Sequence, residues 1–267
     1  MTAVAAAQVQ APRVSVKPIP LTRITAVELR KMFDTRSGFW LIASIAITSL
    51  LATVGVVLWA ADPDLTYSTF ATAIRFPVVI ILPLIAILAV TSEWSQRTGL
   101  TTFTLVPHRS RIITAKAISS VAIAVAAMVL AFAVGALGNL IGAAIRGVPL
   151  VWDVSLTQCW YYVLGMVLSL LMGFMLGVLI RASTGALVAY FIWTFLVPTV
   201  FGLLAQSQHW FHQIQPWVDI QFAQAGLFVF AHALTGKEWA QIAVTGVAWL
   251  LVPLLVGLRL VMRTEVK

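Results

Sequence analysis

The sequence predicts an all-α integral membrane protein with six transmembrane helices, an N-terminal interfacial helix, and re-entrant or interfacial outer helices before the last span. Three observations carry that expectation. Hydrophobic residues make up 61% of the 267-residue chain and charged residues only 10%, against about 25% charged in an ordinary soluble domain. Six stretches are each long and apolar enough to cross about 30 Å of hydrocarbon at about 1.5 Å per residue. Once those stretches are drawn, 14 of the 17 Lys and Arg residues fall on one side, the asymmetry that marks the cytoplasmic face.

The elements follow in order. Residues 1–20 lack a basic head followed by a long apolar run, so they read as a flexible cytoplasmic tail rather than a signal peptide. The remainder, 21–267, forms one transmembrane domain. Leu21–Ser37 mixes Leu21, Ile24, Leu29, Met32 and Phe33 with charges, which suits a helix lying in the membrane interface. Glu28 and Lys31 intrude on its apolar side. The spans are expected at 39–60, 71–92, 117–145, 157–180, 186–204 and 239–258. Pro77 and Pro83 predict a kink in the second span, and Pro198 and Pro253 bends in the fifth and sixth. The segment 205–238 is aromatic and glutamine-rich, broken by Pro216. Its stretch from Ile220 to Leu234 is too short and polar for a span, so outer or re-entrant helices are expected there. Trp59, Trp152, Trp160, Trp210, Trp217 and Trp239 fall near the expected outer boundary, and Trp40 and Trp94 near the inner one, as in an aromatic belt. Gly138 with Gly142, and Gly173 with Gly177, are spaced for close helix packing, within one subunit rather than between two.

The chemistry is sparse. No Asp, Glu, Lys, Arg or His falls in the middle of a span so drawn; Arg75 stands near one end of the second, counted as outside. Intramembrane ionisable groups mark proton relays, so this argues against a self-powered pump. No phosphate-binding loop G-x-x-x-x-G-K-[ST] is present. The single cysteine, Cys159, reads as a small apolar packer. His209, His212, Asp219 and His232 share the outer segment without a metal-site motif, and exposed interfacial residues are the plain reading. Asp62 and Asp64 read as a solvated turn. The net charge of +8 is accounted for by the membrane asymmetry and needs no nucleic acid.

One polar stretch stands out. From Thr91 to Lys116 the chain runs "TSEWSQRTGLTTFTLVPHRSRIITAK" between two apolar segments. Leu100, Phe103 and Val106 would share one face of a short helix there. A loop serving only to reverse the chain could be far shorter, as "RASTG" at 181–185 shows. The length and the apolar face suggest a docking surface.

Glu93-Trp94, Arg97-Thr98, Leu100-Thr101-Thr102, Leu105, Pro107, Arg109, Arg111 and Ala115-Lys116 resemble the first cytoplasmic loop of type-2 ABC exporter permeases. "VELRKMFDTRSGFW" is similar to that family's interfacial elbow helix, with Glu28, Arg30, Lys31 and Arg36. Glu93 to Pro107 is one residue longer than in many members, as in an actinobacterial-looking branch. The resemblance implies a permease subunit that binds no cofactor itself and pairs with two ABC ATPase subunits carrying ATP and Mg. A second permease copy, identical or related, would complete the complex in the lipid of a bacterial plasma membrane, with both termini cytoplasmic. The 93–116 loop would be the ATPase coupling site, through Glu93, Trp94, Arg97, Thr98, Leu100, Phe103, Pro107, Arg109 and Arg111. Arg181 in the short second turn would be a further contact. The export path would be lined by the second and fifth spans, bringing Pro77, Pro83, Tyr190, Trp193 and Pro198 to a cargo that an uncharged lining suits to be amphipathic or hydrophobic. Two other readings stay open: an ion-coupled secondary transporter or channel with a site built from Asn139, threonines and carbonyls, and a membrane enzyme using the outer histidines.

Overall fold

The computed structural model describes residues 19–95, 109–230 and 233–263. Helix α1 (Leu21–Asp34) precedes α2 (Arg36–Trp59), α3 (Tyr67–Ser95), α4 (Arg109–Arg146) and α5 (Leu156–Ile180). Then come α6 (Ser183–Ser207), the short helices α7 (His209–Val218) and α8 (Ile220–Ala225), and α9 (Gly236–Arg263). No strand occurs among the described residues. Six helices, α2, α3, α4, α5, α6 and α9, are long and apolar enough to cross a membrane, so the chain is a multi-pass helical membrane protein.

The core lies among α3, α4 and α5. Val78, Leu82 and Val90 of α3 pack with Ala124 and Met128 of α4 and with Leu170 and Phe174 of α5. The glycine pairs act inside the chain. A Cβ on Gly173 would lie 2.6 Å from the carbonyl oxygen of Pro83, and one on Gly177 3.4 Å from Ile87. Gly138 and Gly142 likewise make room for Phe70 and for α2. α2, α6 and α9 surround this core with mostly exposed apolar faces.

The helix ends differ from the expected spans because hydropathy stops where polar or charged residues begin and the helix does not. α4 starts at Arg109, eight residues before its expected span, and its 38 residues make it about 57 Å long, well beyond the hydrocarbon thickness. α3 starts at Tyr67 rather than 71. Both ends of the expected 93–116 loop are therefore helical, with Glu93 and Trp94 in the last turn of α3 and Arg109 in the first of α4.

Lys116 is thus a helical residue, and it is buried. Its ammonium donates to Glu28 Oε2 at 2.6 Å and to the Ala89 carbonyl at 3.0 Å, joining α1, α3 and α4. Lys31 donates to the other Glu28 oxygen, also at 2.6 Å. Glu28 does not spoil the packed face of α1. Ile24, Glu28 and Met32, one helical turn apart, form the buried stripe, and Glu28 is only 4% exposed. Ser119 and Arg111 extend the seam by donating to the carbonyls of Thr25 and Ile19. Arg30 pairs with Asp34 at the surface. α1 and α2 meet at Thr35, whose hydroxyl accepts from Gly38 N. A side chain on Gly38 would strike the Met32 carbonyl.

At the opposite end Arg146 bonds Asp62 and the carbonyls of Val57 and Ala60, closing the α2–α3 turn. Asp62 is therefore a structural anion. Asn139 donates to the Val151 carbonyl in the same region.

The prolines fall in two settings. α3 is a single helix through both Pro77 and Pro83. In α6 and α9 a π-helical turn, Ile192–Leu196 and Val247–Leu251, precedes Pro198 and Pro253 at the same offset. The wider turn moves the preceding carbonyls clear of the proline ring.

Two outcomes follow. Glu28→Gln or Lys116→Met alone strands a buried charge and should cost about 3–5 kcal/mol, read from unfolding in neutral detergent, whereas Glu28→Met/Lys116→Met should recover most of that loss. Burial pushes the Glu28 carboxyl up, but Lys116 and Lys31 outweigh burial and hold it below its ordinary value of 4.5. With the folded value the lower one, this stabilisation is complete above pH 4.5 and should vanish as pH falls through the folded value. Second, Gly173→Ala must part α3 from α5, costing about 1–3 kcal/mol. Gly202→Ala, where nothing lies within 4 Å, should be neutral or stabilising by up to about 1 kcal/mol.

Candidate functional site: an arginine-lined cavity inside the bundle

The segment after α6 folds back into the bundle. α7 leads to Asp219, which accepts from the N–H groups of Gln221 and Phe222 and so caps α8. Asp219 is 3% exposed. The turn it makes is held from both sides. Trp249 Nε1 donates to the Val218 carbonyl at 2.6 Å, and Gln221 Nε2 donates to the Trp193 carbonyl at 2.7 Å. Both tryptophans belong to the π-helical turns, and their rings lie 4.7 Å apart. The turn therefore lies beside the middle of α6 and α9, not at their ends. Trp217, expected at the outer boundary, sits next to that inner turn. Beyond α8, a 3-10 turn at Gly226–Phe228 sets the Phe228 ring against Gly165 and Tyr162 of α5.

Two freed carbonyls explain the geometry. Pro83 has no N–H, so the Val79 carbonyl loses its donor four residues on; Tyr190 Oη supplies one at 3.0 Å. In the π register the Val197 N–H reaches Ile192, and the donor for Trp193 would be residue 198, again a proline. Gln221 replaces it. An unmet carbonyl inside a membrane costs several kcal/mol, and at these two prolines a polar side chain from another element meets it.

Tyr190 and Gln221 line a cavity of about 240 Å³ bounded by α3, α5, α6 and α8. Its polar wall is Arg75, Ser169, Thr194 and Gln224; its apolar wall includes Met172, Trp193 and Phe228. Of the expected path residues, Tyr190 and Trp193 line it. Pro198 lines a larger, more open groove of about 540 Å³ that shares Gln221. Pro77 and Pro83 line neither; Pro83 acts through the carbonyl it frees.

Arg75, not counted among the path residues by the sequence reading, belongs to this cavity. Counted as an outer charge at a span end, it lies eight residues into α3, about 12 Å along the helix, and faces inward. Its guanidinium carbon sits 4.7 Å from the centre of the Phe228 ring, and its Nε is buried without a hydrogen-bond partner. The early start of α3 hid this, because the expected span began only four residues before it.

At the α1 end, Thr91 of α3 bonds Ser183 at 2.8 Å, which sets the Arg181 turn beside the end of α3. Arg181 takes the left-handed C-cap of α5 at φ 60°, a place more often filled by glycine. Arg97, Thr98, Leu100, Phe103 and Pro107 lie outside the described residues, as does His232. Among the described residues no three His, Cys, Asp or Glu side chains gather as metal ligands. His209 bonds Gln213, and Asp219 closes the other end of the same helix.

The architecture defines a class: a multi-pass helical membrane protein enclosing a partly polar cavity between its spans. No family model and no curated protein matches the chain.

The carbonyl argument has a test. Gln221→Ala should cost about 1–3 kcal/mol by orphaning the Trp193 carbonyl. In a Pro198→Ala background residue 198 regains an N–H, and the same substitution should cost distinctly less. Equal costs in the two backgrounds, measured by a double-mutant cycle on unfolding in detergent, would contradict it.

Proposed function

We propose that the chain is the permease subunit of an ATP-driven exporter of the type-2 ABC class, forming the path for an amphipathic cargo and driven by separate ATPase subunits. The observation that carries this reading is the inter-helix cavity walled by the α7–α8 hairpin, away from the end where α1 is bonded to α4. On this reading α1 is an interfacial elbow, with Val27 and Phe33 exposed towards lipid and the Glu28–Lys116 pair locking it to α4. The α7–α8 hairpin is re-entrant from outside. The basic residues of α1, the Arg181 turn and the end of α9 face the cytoplasm of a bacterium, with both termini. ATP and Mg belong to the partner chains, and a second permease copy completes the path.

The docking surface is the end of α3, the 96–108 connection and the Arg181 turn, with Glu93 and Arg97 as its coupling charges. Arg111 serves in part to hold Ile19. A motion imposed on Glu93 would pass along α3, which carries Arg75 and Val79 of the cavity and the Ala89 carbonyl bound by Lys116.

Asp219 favours a second reading. A buried carboxylate at mid-bundle is the kind of group ion-coupled carriers use. Arg75 does not serve as a proton site, because arginine keeps its charge. Under the exporter reading the chain co-purifies with a soluble ATPase, and Glu93→Lys or Arg97→Glu reduces ATPase activity in proteoliposomes to that of the ATPase alone. Transport by the purified chain down an ion gradient, lost in Asp219→Asn, would instead establish the carrier.

A further inference from the structure

We infer that the cavity at Arg75 binds the anionic head group of an amphiphile, a carboxylate or phosphate monoester, with its apolar chain against Phe228, Met172 and Trp193. The inference rests on the exporter reading only in calling that ligand the cargo. The charge makes the first argument. Guanidinium does not shed its proton to escape burial. A cation in the apolar bundle needs a counter-charge or strong donors' partners. Among the described residues Arg75 has no ion pair and no hydrogen bond; what it has is the face of Phe228. No Asp or Glu lines the cavity.

The lining makes the second argument. Thr194 and Gln224 add neutral groups able to hydrogen-bond an oxyanion beside the guanidinium, while the Ser169 hydroxyl, which donates to the Gly165 carbonyl, forms part of the wall. No other charged side chain is present, so a single anionic head is matched and a cationic one is repelled. Size makes the third. A volume of about 240 Å³ equals about eight water molecules at about 30 Å³ each, below the usual range for a whole drug-sized ligand. It suits a head group with the first carbons of a chain. Gln221 also lines the neighbouring groove, whose wall mixes Pro198 and Phe222 with Gln206, His212, Gln215 and Asp219, so the apolar chain is matched by the cavity's own Phe228, Met172 and Trp193.

The test uses the purified full chain in nanodiscs of neutral lipid, with no ATPase present. Equilibrium dialysis measures labelled decanoate, decyl phosphate and decanol, equal in chain length. Both anions, or one of them, should bind at least about tenfold more tightly than decanol; which anion binds better distinguishes a carboxylate from a phosphate cargo. Arg75→Gln should erase the preference, and Arg75→Lys should retain part of it. Should Arg75→Gln not fold, Ser169→Leu fills the cavity with Arg75 in place and should weaken anion binding about tenfold. Equal binding of decanol and the anions overturns the inference, as does anion binding that survives both Arg75→Gln and Ser169→Leu. Because no ATPase enters this assay, a chain that binds anions but recruits no ATPase loses only the exporter reading. One that couples to an ATPase without Arg75-dependent binding loses only this inference.

Discussion

A backbone carbonyl inside a membrane must find its donor within the protein, because the hydrocarbon offers none. That constraint organises the interior of this bundle. Pro83 and Pro198 each remove one N–H, and the carbonyls they leave, at Val79 and Trp193, are met by Tyr190 and Gln221 from other elements. Those two donors cross from helix to helix and so bound the cavity they line. The Val218 carbonyl, exposed where the α7–α8 hairpin turns, is met the same way by Trp249. The polar side chains of the cavity thus serve both to complete the backbone and to shape a binding space.

The two ends of the bundle use charge, and they use it differently. Around Lys116 a carboxylate and a carbonyl converge with almost no solvent, so α1, α3 and α4 are fixed to one another. Around Arg146 the contacts are solvent-exposed, where an ion pair contributes little and chiefly orders a turn. A rigid end carrying the proposed coupling surface, joined by one helix to a cavity, is a sound arrangement for passing a displacement inward. The hairpin is gripped by two π-helical turns. Such turns are frequent at functional sites, and the first of them supplies Trp193 and Thr194 to the cavity wall.

Much of this architecture was legible along the chain. Hydropathy found the six helices, because each must present some twenty apolar residues to lipid whatever its neighbours are. The small-residue pairs at 138 and 142, and at 173 and 177, signalled close packing, and they pack within the chain. Their partners were not legible, since Phe70 and Pro83 are named only by the fold. The prolines were visible in the sequence, but the π-helical turns that fall before Pro198 and Pro253 were not.

Charge was the quantity the sequence placed least well. Lys116 was counted as a loop residue, since hydropathy ends a span at the first charge it meets, and Glu28 as a blemish on an apolar face. The chain by itself determined the helical class and the number of membrane-length apolar helices, because those follow from local composition against a slab of fixed thickness. Only the tertiary structure decided that Glu28 meets Lys116 88 residues away, and that Arg75 points into a cavity closed by a hairpin some 145 residues later in the chain. The reason is physical: a buried charge is stable only beside the groups that compensate it, and those groups lie on other helices.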